Sequence, residues 1–303
     1  MRRWKLAAIP GLALLLALSG CTTSASEPAP PTGKASASPS AAPRPTGPST
    51  TVAVLGDSLS RGYNACDHFG DCPSVSWAGG TSPEVDSIAS RLGARFDGPV
   101  TVKNVAKSGA SVSDLAAQVP AAAAADPDLV TLLIGANDVC KASVSDMTST
   151  EDFAATLGAA LQQLVTLAPG ATILVASVPD PTAILATASS DPTARFLWSH
   201  GGCATVLADP QSRSTEAEVR RAAVADRVRE YDAALAGACG ALPRCVYDGG
   251  ALHGYTPSMS QLSALDRFHP SVAGLKELAA LEWKALSSSP KAGALLNRRG
   301  FHG

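Results

Sequence analysis

The sequence predicts an α/β fold, a three-layer α/β/α sandwich around a parallel sheet of about five strands. Two observations lead to this prediction. Short apolar runs rich in β-branched residues recur along the chain, and such runs are typical of strands buried on both faces. Each run is separated from the next by a longer stretch with helical spacing or composition, and strands that alternate with helices form a parallel sheet with helices on both faces.

The predicted strands begin abruptly with Thr51–Gly56, a continuous apolar run that ends in glycine. Four further runs follow, the last of them weaker: Val100–Val105, Leu129–Ile134, Thr172–Val178 and Arg244–Tyr247. The predicted helices are approximately Glu84–Phe96, Val112–Ala125, Asp152–Leu167, Thr215–Ala238 and Val272–Leu286. In such sheets functional groups gather just beyond the carboxyl ends of the strands, so these positions are where candidate site residues are sought.

The N-terminus has the pattern of a secretory signal peptide over residues 1–20. Basic residues at Arg2, Arg3 and Lys5 precede an apolar run, Leu6–Leu18, which is well short of the ~20 residues that span a bilayer. The Leu-Ser-Gly-Cys tetrapeptide that ends at Cys21 resembles the bacterial lipobox, in which cleavage exposes the cysteine and its thiol carries diacylglycerol. The resemblance implies a lipid anchor on Cys21; ordinary cleavage nearby, leaving a spare thiol, is the alternative.

Residues 21–50 are almost entirely Ala, Ser, Thr, Pro and Gly, a composition with too little apolar bulk to offset the entropy of ordering. They are predicted to be a linker that holds one folded domain, residues 51–290, away from the lipid surface, with a C-terminal tail at 291–303. We therefore expect an exported protein, either a cell-membrane lipoprotein facing outward or a secreted one.

Composition limits the partners. The chain has 24 basic and 26 acidic residues, so its net charge has no strong sign. Hydrophobic residues make up 46% of the sequence and charged residues 17%, which suits a soluble globular domain. No basic stripe is available for nucleic acid, so that partner is not expected. We expect a monomer.

Six cysteines remain once Cys21 is set aside, and an even number in an exported chain is typical of three disulfides. Fifteen pairings are open. We favour Cys66 with Cys72, Cys140 with Cys203 and Cys239 with Cys245, because two of these close short loops and each can form as the chain emerges. Zinc binding is the competing interpretation, although no pair has the two-residue separation typical of zinc knuckles.

A candidate nucleophile follows the first predicted strand in Gly56-Asp57-Ser58-Leu59-Ser60. A serine at the turn from a strand into a helix exposes its hydroxyl and points its backbone amide outward. Taken alone, a Gly-Asp-Ser turn is common and usually only caps a helix, and the chain lacks the G-x-S-x-G elbow. Asp57, like Asp138 further on, is read as a structural group that accepts from backbone amides.

A candidate base lies near the other end of the chain in Asp266-Arg267-Phe268-His269-Pro270. The three-residue spacing lets the carboxylate of Asp266 reach one ring nitrogen of His269 while the other faces outward. Taken alone, the pattern also fits a helix N-terminal turn with a capping aspartate and a surface histidine.

Two further residues follow predicted strands. Asn137, in Gly135-Ala136-Asn137-Asp138, can donate to an oxyanion, and the lack of a side chain at Gly109 lets its backbone N–H approach a substrate closely. Each also fits a simple turn.

Taken together, Ser58, Gly109, Asn137 and His269 occur in the order that defines the GDSL or SGNH hydrolases, and the chain resembles that family from about Val52 to Leu286. The resemblance implies an SGNH/flavodoxin-like sandwich and an esterase or lipase without cofactor or metal. Ser58 is then the nucleophile, His269 the base and Asp266 its orienting acid, with the oxyanion held by Ser58, Gly109 and Asn137. Some members replace the acid with a backbone carbonyl. The six cysteines look like those of the secreted actinomycete lipases and esterases with three sequential disulfides.

Two other functions compete with ester hydrolysis. One is a metallophosphoesterase, which needs several histidine and aspartate ligands around two metals. The chain has only five histidines, and most of them lie in no recognisable motif, which disfavours this function. A catalytically silent, surface-tethered glycan- or lipid-binding protein of the same fold is the other alternative. Substrates remain open among small-molecule, lipid and acylated-glycan esters; the lack of a long apolar lid-like helix favours short or medium acyl chains. Selectivity is expected to depend on the segment Pro179–Pro210.

Overall fold

The fold is described by a computed structural model for residues 47–298. The predicted signal peptide, Cys21 and most of the predicted linker lie outside the described residues, as do residues 299–303. Within the described part, no helix combines the length and the apolar character needed to cross a bilayer.

A five-stranded parallel sheet forms the centre, with strand order β2-β1-β3-β4-β5. The strands are β1 Thr50–Gly56, β2 Val100–Asn104, β3 Leu129–Leu133, β4 Thr172–Val175 and β5 Cys245–Tyr247. Strands β3 and β4 are buried throughout, as their mainly apolar and β-branched sequences predict, whereas the edge strand β2 is partly exposed. The predicted parallel α/β sandwich is confirmed. The strand order reverses between β1 and β3. Doubly wound folds place their ligands in the crevice at such a reversal.

Helices cover both faces of the sheet. The α-helices are α1 Ile88–Phe96, α2 Leu115–Ala123, α3 Ala136–Val139, α4 Thr150–Leu167, α5 Pro181–Ala188, α6 Pro192–Trp198, α7 Ala204–Leu207, α8 Thr215–Gly240, α9 Val272–Ser288 and α10 Gly293–Leu296. Short 3₁₀ helices occupy Ser58–Arg61, Pro73–Val75, Val112–Asp114, Val144–Asp146, Met259–Gln261 and Pro290–Ala292. Helices α2, α4 and α8 pack on one face, and α1 and α9 on the other.

Local chemistry explains most helix boundaries. Helix α1 begins at Ile88, four residues after the predicted start, because the Ser87 side chain accepts the backbone N–H of Ser90 and caps it. Helices α5 and α6 each begin with a capping aspartate followed by proline at the first helical position, Asp180-Pro181 and Asp191-Pro192. The segment Pro179–Pro210 is therefore largely helical.

Residues just outside the predicted domain limits of 51 and 290 also take part in the fold. Strand β1 starts at Thr50, and within the expected tail Ala292 and Leu295 are buried against the α1–α9 side of the sheet. Three disulfides join the pairs that the sequence favours: Cys66–Cys72, Cys140–Cys203 and Cys239–Cys245.

Candidate active site

The predicted site residues meet at the carboxyl edge of the sheet. Ser58 follows β1, Gly109 lies in the loop after β2, and Asn137 lies in α3 just after β3. His269 comes from the segment between β5 and α9. The parallel sheet thus brings together groups that are spread over more than 200 positions, because all its strands end at the same edge.

The turn that carries Ser58 is held from several sides. Gly56 has φ +130°, and a Cβ there would lie 2.2 Å from the carbonyl oxygen of Leu133, so only glycine fits between β1 and β3. The carboxylate of Asp57 accepts the backbone N–H of Leu59 and caps the 3₁₀ helix that Ser58 begins. Ser58 itself is 8% exposed. The position of Ser58 is therefore fixed by the backbone contacts of Gly56 and the cap from Asp57, and not by contacts of its own side chain.

Ser58, His269 and Asp266 form a continuous chain of hydrogen bonds. The Nε2 atom of His269 lies 2.9 Å from Ser58 Oγ, and its Nδ1 atom lies 2.7 Å from Asp266 Oδ2. The other carboxylate oxygen, Asp266 Oδ1, accepts the backbone N–H groups of Phe268 and His269, each at 2.9 Å. The carboxylate is therefore fixed at both oxygens, and the imidazole is oriented toward the serine.

The surroundings of Asp266 favour its charged form. Burial opposes ionisation, but the hydrogen bond from His269, the charge of that histidine and a hydrogen bond from Asn64 outweigh it, and the pKa of Asp266 lies below its usual value. A carboxylate that stays ionised keeps its partner nitrogen protonated, which leaves His269 Nε2 free to accept a proton.

Three N–H groups are candidate oxyanion donors. The side-chain amide of Asn137 donates one hydrogen to the carbonyl of Ala110 at 2.9 Å, which orients the group and leaves its second N–H free. Gly109 has φ +83°, a left-handed conformation that glycine adopts readily. Within residues 47–298, the backbone N–H groups of Ser58 and Gly109 have no backbone acceptor. All three N–H groups are therefore available to an incoming oxygen.

A pocket of about 240 Å³ opens beside Ser58 and His269. Asn137 lies at its reactive end together with these two residues, and most of the remaining wall is apolar. That wall includes Pro179, Pro181, Ile184, the Cys140–Cys203 disulfide, Tyr255, Leu262 and Phe268. The side chains of Trp77 and Trp198 are both buried in the core, whereas Tyr255 lines the pocket.

Two buried carboxyl groups flank the site without touching Ser58 Oγ. Burial raises the pKa of Asp57 to about 7, against the opposing effects of its hydrogen bond from Leu59 and the charge of His269. Burial also raises the pKa of Asp138, whose oxygens accept from Thr148 Oγ1 and from the backbone N–H of Val112. Val112 is 26 residues away, so Asp138 joins the loops that follow β2 and β3 rather than closing its own turn.

Sequence reasoning missed two polar residues that support the site. Gln118 on α2 accepts the backbone N–H of Gly56 at 2.8 Å and donates to its carbonyl at 2.9 Å. Asn64 donates to Asp266 Oδ2 at 2.7 Å. Gln118 leaves a weak signal, since it lies three residues after Leu115 on the buried side of α2. Asn64 leaves none, because its partner is 202 positions away.

The other described histidines lie elsewhere. His253 Nδ1 is 2.9 Å from Asp232 Oδ2, and His68 and His200 contact nearby backbone oxygens. Within the described part of the chain, no group of three or more His, Cys, Asp or Glu side chains is arranged to hold a metal ion.

The sequence pattern of the GDSL-like lipase/acylhydrolase family matches residues 54–276. The chain belongs to this family. Membership makes it a carboxylic ester hydrolase, and the match spans every motif from the Ser58 turn to the start of α9. No curated protein sequence is similar enough to count as a relative.

Several solved structures are similar to the chain at low sequence identity. An extracellular lipase from Streptomyces rimosus is 21% identical, with 78% of this chain and 99% of that chain covered and a TM-score of 0.48. A catalytic mutant of an acetylxylan esterase from Geobacillus stearothermophilus is 20% identical, with 78% and 93% covered and the same TM-score of 0.48. A phospholipase A1 from Streptomyces albidoflavus is 18% identical, with 78% and 99% covered and a TM-score of 0.47.

Proposed function

We propose that this GDSL hydrolase cleaves carboxylic esters through an acyl-enzyme on Ser58, with His269 as the general base. The observation that carries the proposal is the hydrogen-bonded chain from Ser58 Oγ through His269 to Asp266, at 2.9 and 2.7 Å, at the mouth of an apolar pocket. Geometry of this kind is the requirement for an activated serine.

The reaction runs in two halves. Ser58 Oγ attacks the ester carbonyl while His269 Nε2 takes its proton, and the protonated imidazole then gives that proton to the departing alcohol. Water deacylates Ser58 by the same steps, again with His269 as base. Asp266 remains ionised throughout and stabilises the imidazolium, in keeping with its lowered pKa.

The tetrahedral intermediates place a negative charge on the former carbonyl oxygen. The backbone N–H groups of Ser58 and Gly109 and the free N–H of Asn137 are assigned to hold it. These donors are fixed before the substrate arrives, which is the condition under which an oxyanion hole contributes most to the rate.

The acyl chain is assigned to the apolar pocket. Its volume of about 240 Å³ lies below the usual range for small-molecule pockets, which supports short or medium acyl chains. Pro181 and Ile184 come from the segment Pro179–Pro210 and are the expected selectors of chain length.

We further propose that the enzyme acts outside the cytoplasm as a monomer, tethered to the membrane through a lipid on Cys21. Three disulfides support an oxidising compartment, because such bonds are rare in the cytosol. Mass spectrometry of the mature N-terminus, expected to begin at a diacylglyceryl Cys21, tests this assignment. A mature chain cleaved elsewhere with a free Cys21 contradicts it.

The catalytic proposal is tested with p-nitrophenyl esters of two to sixteen carbons and the oxidised chain from Thr22 onward. Ser58→Ala is compared with Ser190→Ala, an exposed serine remote in sequence from every motif. We expect hydrolysis to be lost in the first variant, retained in the second, and greatest for the shorter esters. Hydrolysis that survives Ser58→Ala refutes the nucleophile. A wild type that cleaves none of these esters refutes the proposed substrate class and favours the alternative of a silent surface-binding protein.

A further inference from the structure

Asn64 occupies a buried position between the turn that carries Ser58 and the loop closed by the Cys66–Cys72 disulfide. It is 4% exposed, and its φ of +56° lies in the left-handed region, where asparagine is one of the few side chains found with any frequency. A polar residue held in an uncommon backbone conformation, and almost fully buried, requires specific partners.

Every polar group of Asn64 has such a partner. Its backbone N–H donates to the carbonyl of Gly70, its side-chain oxygen accepts the N–H of Gly70, each at 2.8 Å, and its own carbonyl accepts from Ser263 Oγ. The remaining group, Nδ2, donates to Asp266 Oδ2 at 2.7 Å. Asn64 therefore connects the disulfide loop directly to the acid of the site.

The carboxylate oxygen that Asn64 reaches is the one that faces His269. Asp266 Oδ2 receives His269 Nδ1 and Asn64 Nδ2 at the same distance, 2.7 Å. Two donors on one oxygen fix the carboxylate against rotation and share its negative charge.

We propose that Asn64 is a positioning residue that holds the Asp266 carboxylate toward His269, and that the Cys66–Cys72 loop fixes the Asn64 side chain through Gly70. This inference rests on the proposed serine mechanism, in which Asp266 orients the imidazole. It assigns to the small disulfide loop a role in catalysis as well as in stability.

Loss of the Asn64 donor has a defined effect on the pH profile. With one donor fewer, more of the negative charge of the carboxylate acts on the imidazole ring, so the acid limb of kcat/KM should move to higher pH. The other charged or titratable groups beside the pair are Asp57, whose charge acts on His269, Tyr63, whose ring centroid lies 4.9 Å from that of His269, and Arg267, the residue after Asp266. None of these is altered by a substitution at position 64.

The test is Asn64→Gly in the full chain, because glycine accepts the left-handed backbone and removes only the side chain. The matched control is Asp126→Gly, an exposed residue with φ +47° on another loop. Ser58→Ala is measured alongside to establish that Ser58 carries turnover in the wild type.

We expect Asn64→Gly to lower kcat about tenfold with KM nearly unchanged, as loss of a hydrogen bond to a charged group predicts. The acid limb of kcat/KM should move upward by about half a pH unit or more. The low-field NMR resonance of the His269 Nδ1 proton should shift, and Asp126→Gly should match the wild type in all three measurements. Replacing both Cys66 and Cys72 with alanine should move the acid limb in the same direction.

A wild-type acid limb and an unshifted proton resonance in Asn64→Gly overturn the proposal, even if the variant is less active and melts at a lower temperature. An acid limb that moves in Asn64→Gly but not in the double cysteine variant overturns the part assigned to the loop. If turnover survives Ser58→Ala, the serine mechanism itself has failed, which is a separate result.

Discussion

The Cys140–Cys203 disulfide is expected to contribute both to the stability of the fold and to the geometry of the catalytic site. Both contributions can be measured by replacing Cys140 and Cys203 with alanine and comparing this variant with one that lacks a short disulfide, Cys239–Cys245. The bond joins residues 63 positions apart, whereas Cys239–Cys245 joins residues only 6 apart. Loop-closure entropy predicts losses in the free energy of unfolding of about 4 kcal/mol for the long loop and about 2 kcal/mol for the short one. Cys140 also ends α3, the helix that carries Asn137, so kcat/KM should fall about tenfold or more in the first variant alone.

The assay is urea unfolding followed by tryptophan fluorescence, together with steady-state hydrolysis of a p-nitrophenyl ester. Cys239→Ala with Cys245→Ala is the matched control, because both pairs are largely buried but the control pair does not line the pocket. Equal losses of stability in the two double variants would refute the loop-length reasoning. Wild-type kcat/KM in the Cys140 and Cys203 variant would refute the role of the bond in holding Asn137.

Three other predictions follow from the same geometry. Asn137→Ala should lower kcat by about 10² to 10³ while KM changes little, since the lost N–H is used mainly in the transition state; steady-state kinetics that leave kcat unchanged exclude Asn137 from the oxyanion hole. Ile184→Trp should reduce kcat/KM for eight-carbon esters more than for two-carbon esters by filling the pocket, and an equal reduction for both places the acyl chain elsewhere. Burial and the neighbouring Asp248 raise the pKa of Glu282 well above its usual value, so folding favours the protonated acid. Its contribution to stability is complete below the unfolded pKa and declines as the pH rises toward the folded pKa. The melting temperature of the wild type should therefore fall more steeply from pH 5 to pH 9 than that of Glu282→Gln, and parallel curves count against this.

The sequence predicted those features whose causes are local. Buried strands appear as apolar runs, and the groups that follow three of them, Ser58, Gly109 and Asn137, are recognisable because parallel strands must end together. The helices in the segment Pro179–Pro210 could also have been predicted, since two Asp-Pro pairs mark the starts of α5 and α6.

What the sequence did not predict depends on partners that are remote along the chain. The sequence shows Gln118 as a polar residue on a buried helix face but does not show that its partner is Gly56 at the end of β1. Asn64 lies 202 positions from its partner Asp266. Trp77 lies outside any helix or strand, yet its side chain is completely buried. Three-dimensional packing, and not local pattern, determines the role of each of these residues.

The nucleophile and its hydrogen-bonded base are separated by 211 positions, close to the two limits of the sheet-forming sequence. During synthesis Ser58 is among the first parts of the domain to emerge and His269 is among the last. A nascent or truncated chain that ends before His269 thus contains the serine without the imidazole that activates it. Ester hydrolysis is therefore expected to begin only when the domain is essentially complete.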